Sequence, residues 1–162
     1  MLRHLNVLAA ALASALLGAP AGAQMPPPDR AGPPVQFRAD LSPDEESAVV
    51  ESPGSGVADF SLDRKTLRLS WKITFKNLTS EPTEIAMRGP QTIGGDAGVL
   101  VDLAPNGFKK LPLEGSAILT DGQLKYLITD RAYINLLTKK YPSGELRGQM
   151  NKRRPNKTAP TQ

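Results

Sequence analysis

Five polar residues have the types and spacing to do chemistry: Arg88, Tyr133, Asn135, Glu145 and Arg147. Tyr133 and Asn135 stand two apart, as do Glu145 and Arg147, so in extended chain each pair projects from one face of a strand. Guanidinium, carboxylate, phenol and carboxamide together can form a polar binding patch through charge-assisted hydrogen bonds. The same residues can equally pin a hairpin, because an Arg beside a carboxylate is an ordinary structural pair. What the chain lacks narrows the chemistry further. Its single histidine is His4, and it has no cysteine. Beyond residue 4 there is no imidazole base or ligand and no thiolate nucleophile. No serine has an imidazole to activate it. Most hydrolase and metalloenzyme readings fall away on that count.

Weaker candidates lie nearby. Asp96, within Gly94-Gly95-Asp96-Ala97-Gly98, is one carboxylate where a calcium loop needs several. Met87 and Met150 carry thioether sulfur suited to Cu(I), but methionines so far apart in sequence read better as core fillers. No glycine-rich phosphate loop sits between a strand and a helix.

The elements that must position these side chains follow from periodicity. Tyr133, Asn135 and Leu137 alternate with Ile134, Leu136 and Thr138. Pro142-Ser143-Gly144 then supplies a turn, and Glu145 to Met150 runs back, which makes a closing hairpin. The longest alternation lies upstream. Ala58, Phe60 and Leu62 precede a turn at Asp63-Arg64-Lys65, and Leu67, Leu69, Trp71, Ile73 and Phe75 follow it. Period-two patterning of that length predicts a hairpin with one buried face, and it places Trp71 in the core. Further strands are predicted at 35–41, 84–88, 99–103 and 112–119. Ser42 to Pro53 reads as an acidic loop with a short extended piece at Val49-Val50. The period changes after Thr120-Asp121-Gly122-Gln123, a capping box, so one helix is predicted over Asp121 to Thr129.

The ends differ in kind from the middle. Arg3, an apolar run from Leu5 to Leu17 and the small-residue pattern Ala21-Gly22-Ala23 have the three-part form of a secretory signal peptide, assigned to residues 1–23. The run is too short for a stable bilayer span. Residues 24–34 hold five prolines and read as a disordered leader. The formal net charge of +4 is a matter of the ends. Arg3 lies in the signal segment, and Lys152, Arg153, Arg154 and Lys157 lie in a tail over 151–162, expected to be disordered. The fifteen basic residues that remain face all sixteen acidic ones, so the body is nearly neutral. An anionic envelope polymer, lipid headgroups or an acidic protein surface would suit that tail; nucleic acid would not.

The closing segment Tyr133-Ile134-Asn135-Leu136-Leu137-Thr138, followed by Pro142-Ser143-Gly144-Glu145 and Leu146-Arg147-Gly148-Gln149, resembles the last hairpin of the CHRD (chordin-type) domain. That family's usual form is Y-V-N-V-H-T, then P-x-G-E and I-R-G-Q. The opening V-Q-F-R-A-D-L-S and the arm S-G-V-A-D-F-S-L-D are similar to family elements as well, so the resemblance spans 35–150. It implies an all-β fold: an antiparallel sandwich or partly closed barrel of superoxide-dismutase-like, Greek-key type, with one short helix before the last hairpin. It implies also a three-histidine copper or zinc site, two ligands from A-H-I-H-G-P and one from N-V-H-T. Here those positions hold Ala86, Arg88 and Leu137, so neither metal nor other cofactor is expected.

Taken together, these readings describe an exported, periplasmic or extracellular, non-catalytic module that binds or scaffolds an unidentified envelope or extracellular partner. The competing reading is a metal-dependent or redox protein using methionine and carboxylate ligands.

Overall fold

The computed structural model describes residues 32–91 and 95–153. Residues 1–31, 92–94 and 154–162 lie outside them, and with them the expected signal segment, most of the expected leader and most of the expected tail. Among the described residues nine strands and one α-helix follow in order, with a 3-10 turn at Pro43–Glu45 between the first two strands: β1 Val35–Leu41, β2 Ser55–Leu62, β3 Arg68–Lys76, β4 Pro82–Arg88, β5 Val99–Asp102, β6 Leu113–Ile118, α1 Asp121–Ile128, β7 Tyr133–Thr138, β8 Leu146–Gln149 and β9 Asn151–Lys152. They build two antiparallel sheets, ordered β6-β3-β2-β1-β9 and β5-β4-β7-β8. The sheets face each other as a sandwich, and no closed barrel forms. Among the described residues no helix is long and apolar enough to cross a membrane.

Alternation explains which residues meet in the middle. Phe37, Ala39 and Leu41 of β1 share the inward face with Ala58, Phe60 and Leu62 of β2 and with Leu69, Trp71 and Ile73 of β3. The second sheet contributes Ile85, Met87, Ile134, Leu136 and Leu146. Met87 and Met150 are both core residues here, fully buried among aliphatic and aromatic neighbours. At the β2–β3 turn the Asp63 carboxylate accepts from the Lys65 and Thr66 amides at 2.8 and 2.9 Å. Those bonds hold its pKa below the usual carboxylate range. The helix begins with the expected capping box: Gln123 N–H donates to Thr120 Oγ1 while Gln123 Oε1 accepts from the Thr120 amide.

Two local readings change. Val49-Val50 forms no strand. The domain also runs past Met150: Asn151 and Lys152 pair with Arg38 and Phe37, and the Arg153 amide donates to the Gln36 carbonyl at 2.8 Å. The sheet thus continues two residues beyond Met150, on the edge that β1 still had to offer.

Trp71 ties the sheets together. It is 6 % exposed, and its indole N–H donates to the Leu103 carbonyl just after β5, at 3.1 Å. Trp71→Ala removes the largest side chain of β3 and leaves that carbonyl unpaired. A loss of about 3–5 kcal/mol is expected, read by denaturant titration.

Candidate functional site

On the four-stranded sheet most of the side chains that turn away from the core are polar, yet several of them are buried. Register aligns Ala86, Asn135 and Arg147 in one row across β4, β7 and β8, with Arg88, Tyr133 and Gln149 in the next. Glu84 and Leu137 stand opposite each other further along. Tyr133, Asn135 and Arg147 are all closed to solvent, and Arg88 is largely so. Their cover is the chain from Ser42 to Ser47 together with residues 95–98.

Arg147 is the centre of this layer. Its backbone N–H and C=O bond the C=O and N–H of Ser42 at 3.0 and 2.8 Å, so the chain leaving β1 lies along the free side of β8. Its guanidinium lies 3.7 Å from the centroid of the Tyr133 ring, a cation–π geometry in a dry setting. Nη1 is 3.4 Å from the Asp96 carboxylate. The Tyr133 hydroxyl accepts from the Ala97 amide at 2.8 Å, and Arg88 donates to the Ala97 carbonyl at 3.2 Å while its other arm pairs with Glu84. Both guanidiniums thus fasten the 95–98 segment to the sheet.

The acidic loop supplies the other half of the cover. Glu45 accepts from the Gln149 amide at 2.9 Å, and Ser47 donates to both Asp96 oxygens at 2.9 and 3.0 Å. Glu46 reaches inward, 3.4 Å from the Asn135 amide nitrogen, and its Oε1 is buried with no hydrogen-bond partner. A Cβ on Gly144 would collide with this carboxylate, and Gly144 has a φ of +145°. Glycine at the hairpin turn is therefore what lets Glu46 in. Burial pushes the Glu46 carboxyl up to about 7; Arg147, Arg88 and Asn135 oppose that rise and Asp96 adds to it.

Glu145 belongs to a different cluster. Its carboxylate accepts from Ser52 Oγ at 2.6 Å, Thr138 Oγ1 at 2.6 Å, and the Thr79 amide and hydroxyl at 2.7 and 2.9 Å. Burial alone would raise its pKa, but these four bonds outweigh it and hold the pKa below the ordinary value. The polar patch inferred from sequence therefore divides. Arg88, Tyr133, Asn135 and Arg147 form one network, Glu145 staples the loops at Ser52 and Thr79 to the end of β7, and in this conformation the four grouped residues are an interior, not an open binding surface. Glu46, Glu45 and Ser47 were not singled out beforehand. The available signal was three acidic positions, Asp44 to Glu46, in a protein that had to bury two guanidiniums.

Ala86, Arg88 and Leu137 occupy this same outward face, the first two at alternate positions of β4 and the third two residues beyond Asn135. A methyl group, an alkyl group and a guanidinium already engaged by Glu84 and Ala97 do not fit a transition metal. Met87 and Met150 point to the opposite, apolar side. Among the described residues no three His, Cys, Asp or Glu side chains cluster so as to hold a metal ion.

A two-sheet antiparallel sandwich whose closing hairpin carries an internal polar layer defines the class. The CHRD domain family model matches residues 37–150, and the chain belongs to that family. Comparison with curated proteins and with solved structures finds no match.

Glu46 and Glu145 make opposite forecasts. In the folded state Glu46 keeps its proton up to about pH 7, whereas unfolded it releases it near 4.5. Stability should therefore rise as pH falls from 7 towards 4.5, by about 2 kcal/mol after allowance for partial exposure, and be flat above 7. Glu46→Gln should erase that slope in thermal melts taken between pH 5 and 8. Glu145→Ala strands four donors at once and should cost about 3 kcal/mol or more at neutral pH, measured by urea unfolding.

Proposed function

We propose that this protein is an exported CHRD-domain module that binds or scaffolds a partner and performs no chemistry of its own. The observation that carries the reading is the Arg147–Tyr133 layer. On the face where the family resemblance implies metal ligands, this chain has a guanidinium stacked on a ring and a second one tied to Glu84 and Ala97. An arginine cannot shuttle protons or ligate a metal. It can hold loops in place, and the two loops held here form the surface over that face.

Export is supported by Arg3, the apolar run from Leu5 to Leu17 and Ala21-Gly22-Ala23. A chain with no cysteine also meets an oxidising compartment without free thiols. Contact with an anionic polymer or acidic surface would come through Lys152 of β9, Arg153 just after it and the basic residues that follow.

Elemental analysis tests the non-catalytic reading directly. The protein would be purified from its own compartment without chelator or histidine tag. Metal below a tenth of an equivalent, as a rough threshold for trace carry-over, is the expected result. Stoichiometric copper or zinc would overturn the proposal.

A further inference from the structure

Every open sheet has two edges, and three of the four in this sandwich are visibly managed. The far side of β8 is taken by Ser42, which exchanges two backbone hydrogen bonds with Arg147. β9 is two residues long and carries a lysine. β5 has four residues, a register shift in its pairing with β4, and a carbonyl at Leu100 occupied by the Gln123 side chain at 2.5 Å. Short, charged, irregular or covered edges are the usual means of preventing a sheet from growing.

β6 is different. It has six residues, pairs with β3 in unbroken register from Arg68–Ile118 to Ile73–Leu113, and contains neither lysine nor proline. Glu114, Gly115 and Ser116 are exposed, and Ile118 is 65 % exposed. The direction of its backbone groups follows from two bonds. The Leu119 amide donates to the Leu67 carbonyl at 2.9 Å, so odd-numbered residues of β6 face β3. On the other side of β3 the Asp63 amide donates to the Arg68 carbonyl at 2.9 Å, which fits the same alternation. The N–H and C=O groups of Glu114, Ser116 and Ile118 therefore point off the end of the sheet.

We propose that β6 is a self-association edge, and that a second copy of this chain adds its own β6 antiparallel about a two-fold axis at Ser116. That register pairs Ser116 with its symmetry mate, Glu114 with the partner's Ile118 and Gly115 with the partner's Ala117. The outward groups then form six backbone hydrogen bonds, and no like charges stand directly opposite. The rows on the outer face complement each other as well. Lys72 and Glu114 already pair at 3.4 Å, and the next two positions in that row would be the partner's Ile118 and the partner's Arg68. Glu114 thus sits between cations on either side, and Ile118 is covered. On the inner face Trp71 lies across Gly115, where a Cβ would be 2.6 Å from its ring. That small position lets the indole reach towards the seam. The interface goes beyond the binding role proposed above and does not depend on it.

Sedimentation velocity over a concentration series tests the idea on the protein as the cell processes it. A monomer–dimer equilibrium is expected. Ser116→Lys sets two ammonium groups opposite each other, and Ser116→Pro removes an outward N–H while sparing the bonds to β3. Each should raise the dissociation midpoint at least about tenfold, with thermal unfolding of the monomer little changed in the lysine variant. Loss of the dimer in Ser116→Lys supports the assignment. A wild-type chain that stays monomeric throughout overturns it, as does a dimer that survives both substitutions.

Discussion

The outward face of the four-stranded sheet depends on one burial: the guanidinium of Arg147, permanently charged and wholly out of water. An unpaired charge there would be prohibitive. It is tolerable because a ring and a carboxylate meet it, Tyr133 beneath and Asp96 at the rim, while two backbone bonds to Ser42 hold the covering chain along the strand. None of these partners is adjacent in sequence. Satisfying Arg147 therefore draws the chain after β1 and the chain before β5 onto the same sheet, and that is what turns a face normally wet into an interior. Replacing the whole layer by apolar side chains need not destabilise such a protein. Removing one member of it would.

Glu46 is the cost of that arrangement. Covering Arg147 with an acidic loop adds the Glu46 carboxylate to those of Asp96 and Glu84 around two guanidiniums. Glu84 and Asp96 keep contact with a cation and with solvent. Glu46 lies deepest, has one weak partner in Asn135, and so becomes the group that prefers a proton near neutrality. Glu145 shows the contrary case with no cation at all, because four donors suffice to keep a buried carboxylate charged. Burial pushes both glutamates towards the protonated form, and donor supply is what reverses it at Glu145 but not at Glu46.

Much of the fold was legible because strands write their faces into sequence at period two. β1, β2, β3 and β7 each display it, and the capping box at Thr120 marked the helix start. What was not legible was anything decided by distant partners. β9 has the composition of a tail, and only the unpaired edge of β1, 113 residues away at Arg38, makes it a strand. Asn135 and Tyr133 looked like a surface pair because their alternation with Ile134 and Leu136 is that of a half-exposed strand. The acidic run Asp44 to Glu46 is the one hint between Ser42 and Pro53, and it does not say which face the loop closes over. Glu145 was grouped with Arg147 by the same parity rule, yet it precedes β8 at a bend, where parity no longer governs direction.

The same scaffold logic bears on what the family's sheet can be used for. Ala86, Arg88 and Leu137 lie on adjacent strands of one face, in three successive rows: Leu137 opposite Glu84, Ala86 opposite Asn135 and Arg88 opposite Tyr133. Filling that face with ligands demands space and access; filling it with Arg88 and Arg147 demands counter-charge and cover. The two solutions are mutually exclusive, since the loops that satisfy the arginines also close the face. In this CHRD domain the loops that satisfy the arginines cover the outward face of the four-stranded sheet, so the surface presented there is that of the loops themselves.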